Sequence, residues 1–105
     1  MDTRQITTLM HKLFYGDIPQ NDGWVHLMID DSLSRERVND LIEKYIPGDE
    51  LIIFVDPQHC AFSNKFDAFE KVEALIKYGT IRIADPRFLG RILINPIGVG
   101  TGSAL

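Results

Sequence analysis

The sequence predicts an α/β fold: a single small domain in the order α-β-α-β-α-β-β, in which three helices pack a mixed sheet of about four strands. Three observations lead there. Short apolar runs of strand length recur at residues 24–29, 51–55, 80–84 and 91–94. Between the earlier runs, apolar residues fall at helical spacing. Finally, three of the runs stop at an acid or amide followed by proline, at Asp56-Pro57, Asp85-Pro86 and Asn95-Pro96.

Taken in order, Ile6, Leu9, Met10, Leu13 and Phe14 line one face of a first helix. Asp2 with Gln5 resembles a capping box, and Gly16 is a natural stop. Residues 16–23 are turn chemistry throughout and deliver the chain to the first strand, 24–29. That run is apolar except for His26 and ends at Asp30-Asp31, as expected of an interior parallel strand covered on both faces. Val38, Leu41, Ile42, Tyr45 and Ile46 then mark a second helix, capped by Ser32 or Ser34 and ended by Pro47-Gly48.

Residues 51–55 form the most hydrophobic run and should be a central strand. Residues 57–63 read as a connection. Asn64 caps a third helix with Phe66, Phe69, Val72, Leu75 and Ile76 facing inward, closed by Gly79. Strands joined through helices run parallel. Only residues 85–90 separate the third strand from the fourth, too few for a crossover of about 10–12 residues, so the fourth should return antiparallel as a C-terminal hairpin strand. Residues 98–105 are glycine-rich and read as a flexible tail of the domain spanning 1–105.

Composition narrows the function classes. At 105 residues and 45% hydrophobic content, one core is expected. With 15 acids against 11 bases the net charge is -4, which disfavours nucleic acid as a partner. Cys60, the single cysteine, cannot form an internal disulfide. Residues 1–12 lack a continuous apolar core, so neither a signal peptide nor a membrane span is expected there, and the cytoplasm is the default location.

The strand-end acids have two readings. On a parallel sheet Asp30, Asp31, Asp56 and Asp85 would share one edge, where carboxylates can hold Mg²⁺ or act as acid and base. Alternatively Asp and Pro simply form the exit from a strand, as helix cap and first-turn residue. The three histidines have no metal-ligand spacing, so no metal and no cofactor is expected. His59 and Cys60 are adjacent and point apart on an extended chain, making a poor catalytic pair. No G-x-S-x-G elbow occurs, and the terminal glycines lack the following helix of a phosphate cradle.

What accumulates instead is acid in loops, beside large apolar groups. Asp17, Asp22, Asp30, Asp31, Asp56 and Asp85, with Trp24 and Phe88 as anchors, suit a surface that meets a basic protein. The functional expectation is a small acidic protein-binding domain that neutralises its partner, concretely a bacterial immunity protein or antitoxin against a basic nuclease toxin. The alternatives are a Mg²⁺-dependent enzyme of phosphoryl or nucleotide chemistry at the Asp edge, or a structural adaptor subunit.

Overall fold

The computed structural model describes residues 3–13 and 23–104. In chain order the elements are α1 (Thr3–Leu13), β1 (Val25–His26), β2 (Met28–Ile29), β3 (Ser32–Leu33), α2 (Arg35–Tyr45), β4 (Glu50–Asp56), β5 (His59–Asn64) and α3 (Ala68–Leu75). A 3-10 turn (Ile76–Tyr78), β6 (Ile81–Ala84), β7 (Gly90–Asn95) and β8 (Val99–Ala104) complete the chain. Six strands form one sheet in the order β1-β8-β7-β6-β4-β5, and β2 with β3 forms a separate two-stranded ribbon. Every paired strand is antiparallel.

The expected mixed sheet with three parallel strands is therefore incorrect, and the error has a simple cause. Residues 57–63, read as a connection, contain a turn and then β5, which pairs directly with β4. A helical link returns a strand in its original direction, so β5 and β6, joined through α3, do run the same way. Because β5 is itself reversed, β6 lies antiparallel to β4. One unrecognised strand thus inverts the direction of everything after it. The antiparallel return of the fourth predicted strand is observed as the β6–β7 pair.

Two further expectations change. Residues 24–29 are not an interior strand: β1 is a two-residue edge strand, Leu27 alone turns fully inward, and β2 leaves for its own ribbon. Residues 99–104, expected to be a flexible tail, form β8, held between β7 and β1.

The core explains both. On one sheet face Leu51, Ile53, Ile81, Ile83, Ile92 and Ile94 meet Val38, Leu41, Ile42 and Tyr45 of α2 and Phe69 and Val72 of α3. Each such side chain stabilises the fold by about 1.5–3 kcal/mol through burial. Gly100 and Gly102 stand on this face of β8, where a methyl group would fall 2.8 Å from Leu27 Cδ1 or 2.7 Å from Tyr45 Cγ. Their alternation lets α2 lie close to the sheet. On the opposite face α1 places Ile6 and Met10 over Ile52, Phe54 and Ala84, with Cys60 and Phe88 at the margin.

Helix ends follow local chemistry. Ser34 Oγ accepts from the Arg37 N–H at 3.3 Å and caps α2. Asn64 Oδ1 accepts from the Asp67 N–H at 2.7 Å, starting the turn that leads into α3. Phe66, expected to face inward, lies in that turn and is 87% exposed. No helix among the described residues is long and apolar enough to cross a membrane.

Candidate functional site

The three Asp/Asn-Pro pairs share one geometry. Proline cannot offer its nitrogen, and the preceding side chain instead accepts from the residue after it. Asp56 Oδ1 accepts from the Gln58 N–H at 2.8 Å, Asp85 Oδ2 from the Arg87 N–H at 3.1 Å, and Asn95 Oδ1 from the Ile97 N–H at 3.0 Å. Each closes a chain reversal between antiparallel strands. The structural reading of these pairs holds, as hairpin turns rather than helix starts.

These reversals disperse the expected carboxylate edge. Asp56 and Asp85 follow antiparallel neighbours, β4 and β6, so they occupy opposite ends of the sheet. Among the described residues no group of three or more His, Cys, Asp or Glu stands ready to hold a metal. The acid–base edge that would serve Mg²⁺ chemistry is not assembled.

Asp85 is also unavailable to a partner. It is 2% exposed, and its Oδ1 accepts from the N–H groups of Leu89 and Gly90, both at 2.8 Å. Phe88, in left-handed backbone at φ 58°, is half-buried beside the α1 cluster and acts as core rather than anchor. Asp17 and Asp22 lie outside the described residues.

Asp56 carries a second arrangement. The His59 Nδ1–H faces both carboxylate oxygens, at 2.9 and 3.0 Å, and the imidazole stacks on Tyr78 with ring centres 3.8 Å apart. Loss of hydration at this corner pushes the Asp56 carboxyl upward. The His59 side-chain bond, the Gln58 and His59 amides and the imidazole charge together outweigh it, leaving the carboxyl below its ordinary value. An aspartate that orients an imidazole is half of a nucleophile-activating device. Cys60 does not complete it: it pairs in register with Phe54 and packs on the opposite sheet face, against the α1 cluster.

The remaining acids form a different surface. Asp30 and Asp31 occupy the tip of the β2–β3 ribbon with φ of 52° and 65°. Left-handed backbone at both positions matches a tight two-residue hairpin, and Asp tolerates it better than most residues. Both side chains are exposed. The ribbon is anchored by the Leu27 N–H to Gly98 carbonyl bond at 2.8 Å and the Ser34 N–H to Leu27 carbonyl bond at 2.7 Å. Gly98, at φ 99°, is in contact range of Met28, which sets the ribbon against the β7–β8 turn.

On the ribbon, the edge strand before it and the β7–β8 turn that anchors it, apolar groups face outward: Ile29 is 48% exposed, Trp24 43%, Val25 41% and Ile97 78%. A shallow cleft of about 420 Å³ continues from Val25 and His26 to Arg37, Asp40, Leu41 and Lys44 of α2. Exposed apolar groups ringed by charge are the usual composition of a protein interface. The structure places Asp30 and Asp31 together at the ribbon tip and Trp24 just before edge strand β1; Asp85 lies at the opposite end of the sheet from the β7–β8 turn, and Asp56 at the same end but with β6 and β7 between β4 and β8. Sequence reasoning missed Ile29, Val25 and Ile97. The legible signal was Ile97 inside a Pro-Ile-Gly turn, where an apolar side chain has no core to enter.

Comparison of the chain with protein-family models, with characterised proteins and with solved structures finds no match.

Proposed function

We propose that the chain is a small cytoplasmic protein-binding domain that neutralises a basic partner, in its concrete form an immunity protein or antitoxin acting on a basic nuclease toxin. One observation carries this reading. A two-residue turn presents Asp30 and Asp31 next to the exposed Ile29, on a ribbon anchored to the β7–β8 turn that carries the exposed Ile97, with Trp24 and Val25 exposed at the start of the neighbouring edge strand. The carboxylates speed and orient encounter with Lys and Arg. The apolar side chains supply the desolvated contacts in which most binding energy resides.

The test uses the full chain as bait in lysate of its native host, washed at low and then high salt. Capture of one basic protein, released by salt and lost with the double variant Asp30→Lys, Asp31→Lys, supports the proposal. Equal capture by the charge-reversed variant, or capture insensitive to salt, defeats it.

A further inference from the structure

At the other edge of the sheet, β5 pairs among the described residues with β4 alone. Phe62 of this strand, in register with Ile52, is 56% exposed, and Phe66 in the turn that follows is 87% exposed. Lys71 of α3 reaches this edge and donates to the Phe62 carbonyl at 3.1 Å. That bond shows Phe62 turning its backbone polar groups away from β4, and the alternation of the ladder directs those of Cys60 the same way. A cleft of about 400 Å³ opens at the C-terminal end of β5, lined by Phe62, Ser63, Asn64 and Lys71 and reaching across Glu50 and Leu51 of β4 to Pro86. Among the described residues no carboxylate pairs with Lys71.

We infer that the β5 edge binds an extended peptide segment of a partner protein by strand addition, with a carboxylate of that segment seated on Lys71 and apolar side chains over Phe62 and Phe66. Strand addition draws its affinity from main-chain bonds and its specificity from alternate side chains. Here Lys71, which pairs with no carboxylate among the described residues, selects an acid. Glu50, toward the start of β4, disfavours a second acid at that end. A second copy of this chain is a poor occupant: antiparallel pairing of two β5 edges about Phe62 would oppose Lys71 to its own counterpart. The surface is independent of the Asp30–Asp31 tip, which lies near the opposite sheet edge.

The experiment selects a displayed library of random seven-residue peptides on the full chain, and in parallel on Lys71→Glu verified as folded by circular dichroism. The expected result is enrichment of Asp or Glu at one fixed position and of apolar residues flanking it. Selected peptides should bind Lys71→Glu about tenfold more weakly or worse, as for loss of a charge-assisted bond. The library selected on that variant should switch to Lys or Arg at the same position. Exchange of the Phe62 amide should slow on binding. No enrichment, enrichment without an acid, equal binding to the variant, or a stable dimer of the unmodified chain in sedimentation would overturn the inference.

Discussion

Asp85 shows how one side chain can decide a loop. Its two oxygens gather three backbone N–H groups between β6 and β7, that of Gly90 fully buried. Asp85→Ala leaves those donors unpaired, and we expect a loss of about 2–3 kcal/mol in chemical denaturation. Asp30→Ala, at an exposed turn tip, should lose far less. Asp56 adds a pH dependence. Its carboxyl lies below the ordinary 3.8 when folded, so the unfolded chain binds its proton first as pH falls. The resulting stability is complete above about pH 5, starts to fade as pH approaches 3.8, and is gone once pH passes below the folded value. Asp56→Asn should therefore flatten the acid limb of the stability profile below that pH, measured by denaturation at a series of pH values.

Between elements, α2 lies close on β8. Tyr45 lies over Gly102, and Leu41 with Leu27 over Gly100, so a single added methyl group has nowhere to go. Gly102→Ala should cost about 3 kcal/mol, as overpacking forces α2 from the sheet. Such glycines at alternate positions are readable as one strand face, but their abundance here resembles a linker. The α2–α3 contact is tied differently. Arg35 donates to Glu70 at 2.7 Å and lies 4.7 Å from the Phe69 ring centre. The bond from Arg35 holds the Glu70 carboxyl below its usual range. Both side chains are more than half exposed, so Arg35→Ala should cost less than about 1 kcal/mol, an effect that salt reduces further.

Across the whole molecule, each sheet edge has a carbonyl covered by a helix cation: Arg37 on His26 at 3.3 Å and Lys71 on Phe62 at 3.1 Å. Such cover discourages indiscriminate edge pairing. The continuity of the sheet depends on β8, which joins β1 to β7. A chain ending at residue 98 exposes the β7 edge and uncovers Leu41 and Tyr45, and it should lose cooperative unfolding altogether. A mere tail would be removable without effect, so circular dichroism of this truncation separates the two descriptions.

What could be read directly from the residues was local. Residues Val38, Leu41, Ile42 and Tyr45 announce α2 by their spacing, Ser32 or Ser34 announces its start, and 51–55 announce a buried strand, because periodicity and capping act within a few residues. The Asp-Pro and Asn-Pro pairs were legible as strand ends for the same reason, though only residues 85–90 were readable as a chain reversal. Strand direction was not, because it depends on how many strands intervene, and β5 carries too mixed a pattern (His, Cys, Ala, Phe, Ser, Asn) to declare itself. Its strand character comes from pairing with β4, a neighbour only after folding. The binding surfaces follow the same division. Asp30 and Asp31 were visible as loop acids, but the exposure of Ile29 and Ile97 and the seat of Lys71 on Phe62 arise from tertiary contacts that decide which apolar groups the core leaves outside.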